Sequence, residues 1–181
     1  MSVLPVYSCF HPILKQSANP VENIDDSIRR LVNDMFETMS VADGVGLAGN
    51  QVGKLDSIVV IDTTKVESAK NKLKVALINP EIISQSDEIT EYQEGCLSVP
   101  TLYEYVKRPK QVQVRFYDIN GKEIVIEDDD FFARVVEHEL DHLKGILFFE
   151  RLSPLRRTFA RKTLKKIQNG SIVPDYQMIL K

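Results

Sequence analysis

Residues His138-Glu139-Leu140-Asp141-His142 constrain this chain more than any other stretch. They spell H-E-x-x-H inside an apolar helical pattern. On a helix, residues four apart lie one turn apart on the same face, so both imidazoles reach one metal ion. Glu139 then stands beside the ion as a general base. The chain has three histidines, and two of them are here. The bland alternative is a histidine pair without a metal, and the spacing around a glutamate weighs against it. A metal site needs a third protein ligand, and its origin decides the chemistry.

The flanking pattern places this motif in an α+β fold. Ile24 to Ser40 reads as a first helix, with Ile28, Leu31, Val32, Met35, Phe36 and Met39 on one stripe. Asp25 or Asn23 caps its start, and Gly44 lies past its end. Ser57 to Ile61 and Val75 to Ile78 are short apolar strands, the second stopped by Asn79-Pro80. Gln111 to Tyr117 alternates, Asn120-Gly121 signals a tight turn, and Ile124 to Ile126 return. The motif helix starts near Asp129 or Asp130 and runs to about Leu143, with Gly145 ending it. Pro154 opens a last helix to about Gln168, and a tail over 170–181 follows. The expected architecture is mixed and antiparallel strands around a central motif helix, with one helix N-terminal and one C-terminal.

A chain of 181 residues, 43% hydrophobic, suits a single domain over 1–181 with a real core. The net charge of −3 gives no global pull toward nucleic acid or anionic lipid. No apolar run reaches membrane-spanning length, and Met1 to Phe10 lacks the pattern of a signal or transit peptide. Cys9 and Cys96 read as free thiols in a reducing cytoplasm. The expected locale is therefore cytoplasmic.

Two downstream completions of H-E-x-x-H fail on inspection. A third His in the H-E-x-x-H-x-x-G-x-x-H frame falls on Phe148, which cannot bind metal. A Glu on a later helix is absent, because no Asp or Glu lies between Arg151 and Pro174. The ligand must lie upstream or very close by, among Cys96, His11, Cys9, Asp141 and the upstream carboxylates. Asp141 points off the metal face of a helix. Cys96, in Glu94-Gly95-Cys96-Leu97-Ser98, offers a thiolate suited to borderline metals. A Cys-His-His set leaves a fourth position open, which is the catalytic pattern.

At this point the chain resembles the peptide deformylase family. Its three motifs stand in order. They are Gly44-Val45-Gly46-Leu47-Ala48-Gly49-Asn50-Gln51, Glu94-Gly95-Cys96-Leu97-Ser98, and His138-Glu139-Leu140-Asp141-His142. The resemblance runs from about residue 4 to Gln168. It departs at Gly49, where the family has Ala and where a smaller residue loosens the loop before Gln51. It departs again at Glu137, where the family usually has Gln and an added carboxylate perturbs local electrostatics.

The resemblance implies hydrolysis of N-formylmethionyl nascent peptides to formate and a free amino terminus. Cys96, His138 and His142 would hold the metal, Glu139 would move the proton, and Gln51 with the backbone N–H of Leu97 would stabilise the oxyanion. Val45, Phe131, Val135 and His138 would wall the methionine pocket, with Gly46 pairing to the extended peptide. Family likeness favours Fe(II), with Zn(II), Ni(II) or Co(II) as substitutes. It also implies a monomer in the bacterial cytoplasm. The basic span of Arg151, Arg156, Arg157, Arg161, Lys162, Lys165 and Lys166, around the helix over 154–168, reads as a solvated face or as a ribosome contact. Two other classes stay open: a small H-E-x-x-H metallopeptidase, and a ribosome-associated metal-binding protein without turnover.

Overall fold

A computed structural model describes residues 2–180. It is α+β. In chain order the elements are β1 (Val6–Tyr7), α1 (Asp26–Val41), β2 (Gly46–Ala48), β3 (Ile58–Asp62), β4 (Lys74–Gln85), β5 (Ile89–Cys96), β6 (Val99–Pro109), β7 (Val112–Tyr117), β8 (Glu123–Asp128), α2 (Phe131–Leu143), α3 (Pro154–Gln168) and β9 (Met178–Ile179). Strands β2-β3-β4-β7-β8 form an antiparallel sheet, β5 and β6 an antiparallel hairpin, and β1 and β9 a parallel pair.

The motif helix α2 is buried along nearly its whole length, because it lies between the sheet and the hairpin. Phe132, Val136 and Leu140 pack with Val59, Leu77, Val114 and Phe116 of the sheet in one core cluster. A helix that carries charge yet sits inside needs partners for every polar group. Its start is capped by Asp128, whose Oδ1 accepts from the N–H groups of Asp130 and Ala133 at 2.9 Å each. The helix ends at Gly145, which takes a left-handed turn at φ 72° against the backbone of Lys15.

Helix α1 covers the other side of β2 and β3, with Val32, Met35 and Met39 in a second cluster beside Leu47, Ile58 and Val60. Asp25 is its cap, its carboxylate accepting from Ser27 and Ile28. At the far end Asp43, rather than Gly44, takes the left-handed conformation, at φ 54°. Gly44 serves packing instead, since a Cβ there would stand 2.9 Å from Leu97.

Asn79-Pro80 does not stop β4. The strand passes through it and changes partner: Lys74 to Ile78 pair with β3, and Ile78 to Gln85 pair with β7 across a bulge between Ile78 and Glu81. Asn79 adopts φ 51°, and its side-chain amide bonds both backbone groups of Val21 at 2.8 Å. The proline thus sits where the ladder is already interrupted, so its missing N–H costs no pairing. The Asn120-Gly121 turn forms as expected, with Gly121 at φ 79°. The tail folds back, and β9 pairs with β1.

Candidate metal centre and active site

Two separate pieces of chain meet at the site. Cys96 sits at the tip of the β5–β6 hairpin, where it pairs with Val99 across the turn residues Leu97 and Ser98. His138 and His142 project from α2, with ring centroids 5.0 Å apart. The ligand atoms of all three residues lie within 4.8 Å of one another. The Cys96 sulfur stands 3.1 Å from Nε2 of His142.

The donor set fits a borderline divalent ion: one thiol and two imidazoles, with space beside them. His138 engages Glu94 through Nδ1 at 2.9 Å, which fixes the ring with its other nitrogen on the Cys96 side. Burial alone would lower the basicity of His138, but contacts with Cys96 and Glu94 outweigh it and raise its pKa. Burial, with His138 and Arg108 nearby, holds His142 below the ordinary value and keeps it neutral. Of the other candidate ligands, His11 caps the turn over Pro12–Lys15. Cys9 is buried in the hairpin-side core, and burial pushes its thiol up to about 12. Asp141 belongs to the network described next.

Glu94 and Asp141 anchor that buried network. Arg108 donates to both Glu94 oxygens at 2.7 and 2.9 Å and to Asp141 at 2.7 Å. Arg134 reaches Glu94 at 3.1 Å, and Arg151 adds a bidentate pair to Asp141. Burial pushes the Glu94 carboxyl up, yet hydrogen bonds and charge from Arg108 and His138 hold it well below the usual carboxylate range. The network ties the hairpin that carries Cys96 to the helix that carries the histidines. Sequence reasoning missed Arg108 and Arg134. The available signals were Glu94, two residues before Cys96, and Asp141 inside the motif.

Glu139 is buried beside the two histidines, and its Oε2 has no hydrogen-bond partner among the described residues. Burial raises its pKa to about 7. A Cβ on Gly46 would lie 2.4 Å from Glu139 Oε1 and 2.7 Å from Val135, so only glycine lets β2 pass this close. Gln51 is held by the Ala48 N–H on its carbonyl oxygen at 2.8 Å. Its amide nitrogen therefore faces Cys96 Sγ at 3.5 Å and Ser98 Oγ at 3.2 Å.

A cleft of about 580 Å³ opens onto these groups, lined by Val45, Gly46, Gln51, Cys96, Leu97, His138 and Glu139 among others. Val135 backs Gly46 from behind. Phe131 packs at the edge of the sheet core, and neither it nor Val135 lines the cleft. Phe148, at the failed third-ligand position, lies with its ring centroid 5.8 Å from that of His138.

The two departures find physical places. Gly49 is fully buried, and a Cβ there would stand 2.6 Å from the backbone oxygen of Asp56. Glycine therefore permits close backbone packing before Gln51 rather than loosening the loop. Glu137 is 6% exposed, its Oε2 lacks a partner among the described residues, and burial raises its pKa to about 7.

Comparison with known proteins converges on the same chemistry. The sequence profile of the family described as Polypeptide deformylase matches residues 3–158. A peptide deformylase of Syntrophobacter fumaroxidans is 43% identical over 172 residues, covering 94% of this chain and 99% of the relative. One of Phenylobacterium zucineum is 40% identical over 166 residues, covering 92% and 97%. Among solved structures, a peptide deformylase from Legionella pneumophila superposes with TM-score 0.85 at 38% identity, covering 94% of this chain and 98% of its own. The Ehrlichia chaffeensis enzyme in complex with actinonin gives 0.84 at 39% identity, covering 92% and 98%. The chain belongs to the peptide deformylase family.

Proposed function

We propose that this site removes the formyl group from N-formylmethionyl peptides by the following division of labour. Cys96, His138 and His142 hold one divalent ion, which when bound supplies Lewis acidity and a more acidic water. Glu139 accepts the water's proton and returns it to the departing amine. Its pKa of about 7 suits both directions of that transfer near neutrality. The Gln51 amide nitrogen and the Leu97 backbone N–H donate to the oxygen that gains charge. The convergence of Cys96, His138 and Glu139 on one cleft, with the ligand atom of His142 within 4.8 Å of those of Cys96 and His138, carries the reading. Val45 and Gly46 line the peptide's path, and Val135 and Phe131 support that wall from behind.

Fe(II) is the resident ion in this reading, with Zn(II), Ni(II) or Co(II) able to replace it, because thiolate and imidazole suit all four. The whole chain acts as one catalytic domain and a monomer in the bacterial cytoplasm. No helix among the described residues is long and apolar enough to cross a membrane. Exposed Arg161, Lys162, Lys165 and Lys166 on α3 form no ion pair among the described residues and are free to meet ribosomal RNA.

Protein purified anaerobically and analysed for metal should contain iron and release formate from formyl-Met-Ala-Ser. It should leave acetyl-Met-Ala-Ser intact and cleave no peptide bond. Cleavage of the acetylated or peptide-bonded analogue at a comparable rate would return the metallopeptidase reading.

A further inference from the structure

Asn50 is fully buried in the short turn Gly49–Val52, one residue before Gln51. Its amide nitrogen donates to the backbone oxygen of His142, one residue from the end of α2. That carbonyl also accepts from the Gly145 N–H at 2.9 Å. It is satisfied without Asn50, so capping alone does not account for a buried amide there. The contact fixes which way the amide faces, because turned over it would set oxygen against oxygen. Asn50 Oδ1 is thus the free end, a buried acceptor with no partner among the described residues.

The complementary atom belongs to the same neighbour. His142 turns Nε2 to the Cys96 sulfur at 3.1 Å, so Nδ1 carries the ring proton when Nε2 holds an ion. That Nδ1 is also buried and has no acceptor among the described residues. His138 differs, because Glu94 engages its Nδ1. A donor and an acceptor sealed from solvent each cost stability unless satisfied, and one buried water between them satisfies both. We propose that Asn50 is a positioning residue for His142: its nitrogen anchors the backbone of that ligand, and its oxygen holds the ring Nδ1–H through one buried water. The inference rests on the Cys96-His138-His142 ion site. Asn50 then gives His142 the outer partner that Glu94 gives His138. It also joins the turn that carries Gln51 to the helix that carries the ligands.

The test compares cobalt-loaded wild type with cobalt-loaded Asn50→Leu, a substitution of similar size with no polar end. The ring N–H of a cobalt-bound imidazole gives a strongly shifted proton resonance that disappears in deuterium oxide. Wild type should show one such resonance for each histidine ligand. In Asn50→Leu one of them should move or vanish while the other stays, and a chelator should strip the cobalt about tenfold faster. An asparagine that only packs the turn would lower the melting temperature and leave both resonances and the stripping rate unchanged. That result overturns the proposal. Should Asn50→Leu fail to fold, Asn50→Ala decides by the same two readings. Failure of wild type to bind cobalt at all would overturn the ion site itself, and this proposal with it.

Discussion

Glu137 shows how one buried atom without a partner among the described residues becomes measurable. Its carboxylate lies inside the protein, one residue before a proposed metal ligand, with a pKa near 7 set by burial and only partly countered by Arg108 and Arg134. An acid whose folded pKa exceeds its unfolded value costs stability as pH rises between the two, because the unfolded chain releases its proton first. Wild type should therefore lose ground from about pH 4.5 up to about pH 7. Glu137→Gln should raise the unfolding free energy by about 1–3 kcal/mol at pH 8 and by much less at pH 4.5. Thermal melts at the two pH values check this. An equal effect at both would mean that the carboxylate is paired or solvated. Of the residue-level site, the histidines, Glu139 and Cys96 were legible because metal chemistry restricts which side chains serve and at what spacing. Gln51 was visible only through resemblance, since a lone amide carries no signal of its own. The geometric reason for Gly46, contact with Glu139 from a different element, was out of reach of any local pattern.

Among the elements, the β5–β6 hairpin escaped sequence reading while α1, α2 and α3 did not. The helices carry apolar stripes or caps that can be read locally. Strand β5 reads Ile-Thr-Glu-Tyr-Gln-Glu-Gly-Cys, largely polar and largely exposed, so hydrophobic alternation is weak. What holds it is non-local: Glu94 on β5, Arg108 on β6, and Arg134 and Asp141 on α2. Strand β4 likewise outran its apparent stop at Asn79-Pro80, because a partner change hides the break. The hairpin network makes a sharp prediction. Arg108→Leu leaves two buried carboxylates short of a partner and should cost about 3–5 kcal/mol, as removal of one member of a buried ion pair does. It should also weaken metal retention in a competition assay with a chelator, because Cys96 and the histidines lose their common tie. A variant that melts normally and holds its metal equally well would separate the network from the site.

For the whole molecule, charge is uneven in a way the net value of −3 conceals. Helix α3 concentrates cations, but they are not equivalent. Arg156 pairs with Glu104 and stacks over Tyr105, and Arg157 bonds the carbonyls of Glu150 and Leu152. Arg156 holds the helix on the hairpin, and Arg157 ties it to the turn that precedes it. Arg161, Lys162, Lys165 and Lys166 are exposed, and Leu155 and Phe159 stand 66% and 67% exposed on the same helix. Reversing Arg161, Lys165 and Lys166 to Glu should therefore abolish salt-sensitive co-sedimentation with ribosomes while leaving formate release from a short peptide intact. Unchanged co-sedimentation would assign the helix to a solvated face. The central claim is that one cleft assembles a Cys-His-His ion site with Glu139 as its proton carrier, and Glu139→Ala tests it most directly. Measured together, metal content and formate release from formyl-Met-Ala-Ser should show one ion per chain retained and kcat lower by about 10²-fold or more. Retention of wild-type turnover by the metal-loaded variant would contradict the account.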